Sequence, residues 1–208
     1  MNEKASVAYA YTHGGKTYEH YYLVRPALAI LTKQQHRRLF DLGCGNGAIA
    51  ADLQSAGFDV TGVDASESGI ANANLAHPEI KLHVGSAYDD LAARYGRFPI
   101  VVSFEVVCYM YDPRSFARAV FDLLEPGGLA LISTPYHGYL KNLVVALLGG
   151  FDAHWNPLWE SGHIKFWSER TITQLLTEAG FTDLKIHRVG RIAPLAKSMI
   201  VTARRPRP

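Results

Sequence analysis

The stretch Leu39-Phe40-Asp41-Leu42-Gly43-Cys44-Gly45-Asn46-Gly47 constrains this chain more than any other. Leu39 to Leu42 reads as a buried strand, and the three glycines allow a tight turn without Cβ clashes. Ala48 to Ala56 reads as the helix that follows. Strand, glycine turn and helix in that order open a βαβ unit, and hence a parallel sheet. Phe58 to Val63 reads as the second strand, with Asp64 at its end. A carboxylate in that place can accept both hydroxyls of a ribose, so the two elements together read as a nucleoside-cofactor site.

Gly43-x-Gly45-x-x-Ala48 also fits the dinucleotide fingerprint G-x-G-x-x-G/A. Asp41 argues against a dinucleotide. Pyrophosphate rests on the glycine turn and the helix N-terminus, where a carboxylate beside the first glycine repels it. An ammonium is attracted there instead. S-adenosylmethionine offers an α-ammonium for Asp41, an α-carboxylate for the helix N-terminus, a ribose for Asp64, and no phosphate. Apolar-Asp-x-Gly-Cys-Gly-x-Gly resembles motif I of the class I S-adenosylmethionine-dependent methyltransferases, and Asp64 matches the acidic end of their second strand. The resemblance implies cofactor contacts from Asp41, Gly43, Gly45, Asp64 and the adjoining Ala65. The alternative is a structural glycine turn in an ordinary βαβ unit.

The 208 residues, 48% of them hydrophobic, suffice for one sizeable core, so a single domain over residues 1–208 is expected. The net charge is +2 with no basic stripe of the kind that tracks phosphates, which argues against a nucleic-acid partner. Arg204-Arg205-Pro206-Arg207 is read as a solvated terminus. Cys44 and Cys108 sit in core or site segments and give no disulfide framework, which suits a reducing compartment. Met1 to Thr12 is polar, unlike a signal peptide, and the apolar run Leu140 to Leu148 contains Lys141 and Asn142 and is too short to cross a bilayer. A soluble, cytoplasmic protein without membrane insertion is expected.

Beyond the glycine turn, apolar strands alternate with amphipathic helices, which predicts an α/β fold with a largely parallel sheet covered on both faces. Ile80 to Val84, Pro99 to Phe104, Leu129 to Thr134, Asp183 to Val189 and Ser198 to Ala203 are the further strands. Asp112 with Pro113 starts a helix over Arg114 to Leu124, and Ser168 caps another over Glu169 to Ala179, closed by Gly180. The last two strands have no helix between them and are predicted antiparallel, since a parallel pair needs a crossover. The resemblance implies the same arrangement: a Rossmann-like seven-stranded, mostly parallel sheet with an antiparallel C-terminal strand.

Three further segments resemble this family in the right order. Gly85-Ser86-Ala87-Tyr88 stands where the family has Gly-Asp-Ala against adenine, with the Ser86 hydroxyl in place of the carboxylate and the Ala87 N–H available to an adenine nitrogen. Phe104-Glu105-Val106-Val107 ends the fourth strand, where the apolar Phe104 can lie against the cofactor. Glu125-Pro126-Gly127-Gly128-Leu129 resembles the family's Pro-Gly-Gly turn before the fifth strand and is structural. A closer resemblance is to the ubiquinone-biosynthesis O-methyltransferases, whose Glu-Val-hydrophobic-Glu-His segment is associated with a divalent metal. This chain keeps Glu105 but carries Cys108 and Tyr109 in the other two places. One carboxylate, a thiol and a phenol suit Mg²⁺ poorly, and no second cysteine or His-x-x-x-His pair supports zinc, so no metal is expected. Arg25 resembles the arginine that precedes motif I in those enzymes and contacts the cofactor; the alternative is an arginine pairing on a helix surface.

Residues 136–167 form the expected acceptor lid, holding Trp155, Trp159 and Trp167 with Tyr136, Tyr139, Phe151, Phe166, His137, His154 and His163. They lie past the fifth strand, at the sheet edge where α/β ligands bind. The aromatics either enclose a flat apolar acceptor or form a subcore beneath the insertion. Residues 1–25 form an expected N-terminal flap, since Tyr9 to Tyr22 is rich in aromatics and histidines, broken by Gly14-Gly15, and shows neither period. The reaction implied is methyl transfer to a small aromatic or apolar acceptor, with O-methylation favoured. A phenol with a pKa of ~10 would be helped by a base, for which His137, His163 and Glu105 are the candidates. Two other readings stand beside it: a nicotinamide-dependent oxidoreductase, disfavoured by Asp41, and a non-catalytic S-adenosylmethionine-binding protein.

Overall fold

The computed structural model describes residues 11, 15, 16, 18, 20–159 and 162–208. Most of the expected flap and of the polar stretch Met1 to Thr12, together with Ser161 of the turn before His163, lies outside the described residues. Strand β1 (Arg38–Leu42) passes through the glycine turn into α2 (Ala48–Ser55), preceded by α1 (His20–Leu31), and β2 (Asp59–Asp64) returns parallel with Leu42 opposite Val63. The alternation continues through α3 (Glu67–Ala76), β3 (Lys81–Val84), α4 (Leu91–Tyr95), β4 (Phe98–Ser103), α5 (Pro113–Leu123) and β5 (Leu124–Pro135). Two short helices, α6 (Tyr139–Leu147) and α7 (Phe151–His154), precede α8 (Glu169–Glu178), β6 (Thr182–Val189) and β7 (Ser198–Arg204).

The seven strands form one sheet in the order β3-β2-β1-β4-β5-β7-β6. Strands β1 to β5 run parallel, and β7 runs antiparallel to both β5 and β6. This is the Rossmann-like, mostly parallel architecture expected from the sequence. Side chains alternate across each strand, so the central strands feed two cores. Phe40 and Val101 pack with Phe116, Val120 and Leu176 on the face covered by α4, α5 and α8. Leu39 and Ile100 point the other way, among Leu23, Leu31, Leu53 and Ala73 from α1, α2 and α3. Strand β1 lies between β2 and β4, so the order reverses there and a crevice opens beyond the carboxyl ends of β1 and β4.

Local chemistry accounts for the best-defined helices. The Asp112 carboxylate accepts from Ser115 N–H at 3.2 Å, with Pro113 in the first helical position. Ser168 and Thr171 cap each other reciprocally at the start of α8. Phe116 is fully buried in the first turns of α5, so Phe116→Ala should cost about 3–5 kcal/mol, read from urea unfolding at unchanged slope. A loss below about 1 kcal/mol would show that the core around it collapses to fill the space.

Three segments differ from the sequence expectation. Residues from His20 onward are helical rather than part of a flap: His20, Leu23, Ala27 and Leu31 are buried at helical spacing, a pattern obscured by the aromatics that precede it. The Glu125-Pro126-Gly127-Gly128 segment is not a turn before β5 but a bulge within it, where the register steps from Phe98 opposite Leu124 to Ile100 opposite Leu129. Gly127 adopts φ +82°, and its N–H donates to the Arg205 carbonyl at 2.9 Å, so the C-terminal chain continues the ladder. Arg204 and Arg205 are accordingly held rather than solvated, while Pro206 and Arg207 are exposed as expected: Arg204 donates to the Gly127 carbonyl and Gln34 Oε1, and Arg205 to the carbonyls of Phe121 and Leu124. Among the described residues no helix is long and apolar enough to cross a membrane.

Candidate cofactor and acceptor site

A cleft of about 1050 Å³ runs along the carboxyl edge of the sheet, from the end of β2 to the start of β7. At its first end the glycine turn is pinned to β2. Gly43 and Cys44 N–H groups donate to the Val63 carbonyl at 2.8 and 3.0 Å, and Gly43, Gly45 and Gly47 all adopt positive φ. The Asp64 carboxylate accepts from Gly45 N–H at 2.9 Å and from Ser66 N–H at 2.8 Å. It therefore braces the turn as well as facing the cleft, and each oxygen keeps a lone pair for a ligand hydroxyl. Burial raises its pKa, opposed by those two backbone bonds.

Asp41 is in a different condition. It is 1% exposed, lines the cleft, and neither oxygen accepts a hydrogen bond from any described residue. Burial, and then the charge of Asp64, push its carboxyl up to about 8. A buried carboxylate without donors is costly and calls for a partner. An ammonium group supplies both the missing donors and the opposite charge, so this end of the cleft fits a ligand with an α-amino group.

Ser86, Ala87, Ala65 and Phe104 line the same end. The Ser86 N–H donates to Asp89 Oδ2 at 2.8 Å, while its hydroxyl accepts from Tyr88 N–H at 3.2 Å. Asp89, three residues downstream and unremarked in the sequence, thus shapes this turn. The Ala87 N–H has no hydrogen-bond partner among the described residues, which leaves it for a ring nitrogen. Tyr11 also reaches this end: a Cβ at Gly45 would collide with its ring, its N–H donates to Ser68 Oγ and its carbonyl accepts from Asn72. Arg25 is not brought in. It is exposed on α1, two residues from Leu23 and so on the far side of the buried stripe.

The three candidate bases meet at the other end, where Glu105, His137 and His163 all line the cleft. Glu105 has the uncommon φ of +57°, and its Oε1 accepts from Ser133 Oγ at 2.8 Å while its N–H donates to the same hydroxyl at 3.0 Å. His137 has an unpartnered, buried Nδ1 among the described residues. Burial, then Lys141, His154 and His163, lower its pKa to about 4, so the ring is neutral at pH 7. His163 packs on Tyr109 with ring centroids 4.8 Å apart. Cys108 does not reach the cleft: it is buried in the core beneath, and its thiol donates to the Glu105 carbonyl at 3.2 Å. Both cysteines are free. Among the described residues no group of three or more His, Cys, Asp and Glu side chains is placed to hold a metal ion.

The aromatics of residues 136–167 divide between two roles. Tyr136 and Trp167 are buried and form a parallel bridge, and His137 N–H donates to the Trp167 carbonyl at 2.9 Å, so the segment leaves and rejoins the fold at one place. Trp155 and Trp159 line the cleft instead, with Trp155 stacked on Phe151 at 4.5 Å and at 6.0 Å from His137. Lys141, Arg191 and Lys197 complete the walls, and the sequence had given none of them a role.

Residues 16–186 match the family described as "Methyltransferase domain". The chain belongs to this methyltransferase family. Its cofactor is S-adenosylmethionine. Among curated relatives, this methyltransferase is 38% identical over 125 residues to the ubiquinone biosynthesis O-methyltransferase of a Caulobacter species, covering 58% of the chain and 49% of the relative. It is 33% identical over 147 residues to the enzyme of that name from Ruegeria pomeroyi, covering 69% of the chain and 59% of the relative. The chain thus spans about half the length of the first and three fifths of the second. An S-adenosylmethionine-dependent methyltransferase from Mesorhizobium loti shares the fold with a TM-score of 0.64 at 21% identity, over 86% of this chain and 96% of that one. Magnesium protoporphyrin IX methyltransferase from Synechocystis, solved with bound S-adenosylhomocysteine, gives 0.65 at 19% identity, over 88% and 81%. Neither the nicotinamide-dependent reading nor the non-catalytic one gains support from these matches.

Proposed function

We propose that this protein transfers the methyl group of S-adenosylmethionine to a hydroxyl of a small aromatic or apolar acceptor, without a metal. The observation that carries the reading is Asp41: a buried carboxylate with no donor of its own, at the glycine turn of a cleft that continues into an aromatic enclosure. In this reading Asp41 takes the α-ammonium and Asp64 the ribose hydroxyls. The turn around Ser86 and Ala87, with Phe104, holds the adenine. When bound, the cofactor supplies an electrophilic methyl on a sulfonium. The protein's part is to align an acceptor oxygen with it and to exclude water. Residues 136–167 act as the lid that does so. His137, neutral at pH 7 and lining the cleft, is the first candidate to take the hydroxyl proton, with His163 and Glu105 as the others. Absence of a metal is supported by the donors themselves, since Cys108 faces the core and one Glu105 oxygen is taken up by Ser133.

Thermal shift tests the cofactor: S-adenosylhomocysteine at ~100 times its dissociation constant should add ~2.7 kcal/mol, and NAD nothing. The reverse result sinks the proposal. Turnover on a panel of phenols, amines and carboxylic acids then tests the acceptor atom. His137→Ala should bind S-adenosylhomocysteine normally and lose about 100-fold in turnover; unchanged turnover removes His137 from the reaction.

A further inference from the structure

The cleft is electrically polarised along the sheet edge. Asp64 and Asp41 stand at the ends of β2 and β1, whereas Lys141, Arg191 and Lys197 stand around the ends of β5, β6 and β7, where Pro135 pairs with Ser198. The acidic end is answered by the cofactor's ammonium. A neutral phenol would leave the basic end unanswered.

Lys141 is the most telling of the three cations. It is 8% exposed, and its Nζ donates to the Tyr136 carbonyl at 2.8 Å and the Lys197 carbonyl at 3.5 Å, which leaves a third N–H for the cleft. It occupies the first turn of α6, where the helix dipole disfavours a cation, and no side chain caps that helix. The ammonium is therefore buried at a helix start, with two carbonyls as its hydrogen-bond partners. Its pKa is lowered by burial and then by Arg191, against the opposing attraction of Glu105. Arg191 is exposed at the rim and makes neither a hydrogen bond nor an ion pair among the described residues. Lys197 stands over the rings of Tyr18 and Tyr22, at 4.1 and 5.4 Å, rather than against a carboxylate. Glu105 is the one acidic side chain whose charge reaches Lys141 among the described residues, a single carboxylate against three cations, and one of its oxygens already accepts from Ser133.

We infer that the acceptor is an aromatic anion, its carboxylate or phosphate held by Lys141 and Arg191 and its ring among Trp155, Tyr109, His137 and His163. This rests on the methyl-transfer reading and narrows it. Two charged donors on one flank and flat rings on the other fix both the position and the tilt of such a molecule. His137 is held low first by burial and then by Lys141, His154 and His163, and an anion there opposes the second of these causes, so that acceptor binding makes the imidazole a stronger base.

Calorimetric titration of the protein saturated with S-adenosylhomocysteine tests this with two matched pairs: para-hydroxybenzoate against its methyl ester, and phenyl phosphate against anisole. In at least one pair the anion should bind about tenfold tighter, and which pair shows it distinguishes carboxylate from phosphate. In Arg191→Gln and in Lys141→Met the preference should fall below about threefold, with affinity for S-adenosylhomocysteine within about twofold of the original protein. Should Lys141→Met not fold, the exposed Arg191→Gln decides alone. Equal binding of both members of each pair, no binding by either anion, or a preference that survives the substitutions overturns the inference alone. No binding of S-adenosylhomocysteine overturns it together with methyl transfer.

Discussion

Replacing Asp41 by asparagine is expected to weaken S-adenosylhomocysteine binding by about 100-fold and, in the same protein without ligand, to raise stability at pH 8 and above. The two effects share one cause. The carboxyl has an ordinary value of 3.8 and lies at about 8 in the folded chain, so across that interval the folded protein holds a proton that the unfolded chain has released. Stability therefore falls as pH rises through the window and levels off above it. The slope approaches roughly 1.4 kcal/mol per pH unit, and the whole effect is on the order of 5 kcal/mol. Asparagine carries no such penalty. Melting temperatures of the original protein and the variant should coincide near pH 4 and diverge towards pH 8, with the variant higher.

Ligand binding reverses the preference. An ammonium beside Asp41 favours the ionised carboxylate, so binding near pH 7 should release a proton, and affinity should rise with pH until about 8. Removing one partner of a desolvated charge pair costs about 3 kcal/mol, which is the 100-fold loss. Calorimetry in two buffers of different ionisation enthalpy reads the proton directly. Unchanged affinity in the variant, or no proton released, would place the ammonium elsewhere.

Much of this was legible in the sequence, and the part that was not has a common physical origin. Strands β1, β2, β4, β5 and β7 announce themselves through apolar runs between turn residues, and the helices α5 and α8 through caps at Asp112 and Ser168 that act within four residues of themselves. Asp41 and Asp64 were legible as types at fixed spacing. What stayed hidden depends on pairings between distant segments. Arg191 and Lys197 reach the cleft because the β6–β7 hairpin lies antiparallel beside β5, with Ser198 opposite Pro135, and register of that kind is set by packing rather than by local sequence. Lys141 reads in the sequence as a charge interrupting an apolar run. Only the fold shows its ammonium drawn back to Tyr136 and Lys197. Cys108 errs in the other direction: its place in a family motif points to the site, but its thiol faces the core. Arg25 matches by sequence position and misses by helical phase.

Gly62 is the strongest case of a residue that only the fold explains, and Gly62→Val is expected to cost about 3 kcal/mol or more and to abolish detectable S-adenosylhomocysteine binding. Valine is ordinarily favoured in a strand, so propensity alone predicts the opposite sign. In β2, however, Gly62 pairs with Asp41 of β1, and a Cβ there would stand 2.9 Å from the Asp41 carbonyl oxygen and 3.1 Å from Cys44 Cβ. The third neighbour, Leu82 Cδ2 at 3.0 Å, belongs to a side chain that can rotate away; the Asp41 carbonyl cannot. The added methyls must push β1 and the glycine turn off β2, along the line of the bonds from Gly43 and Cys44 to Val63 and from Gly45 to Asp64. Stability and cofactor affinity should therefore fall together, with Gly62→Ala showing a smaller loss of both. Urea midpoints and calorimetric titration measure the two. If Gly62→Val folds with unaltered affinity, the spacing between β1 and β2 does not set the turn, and the brace from Asp64 must hold it without the sheet.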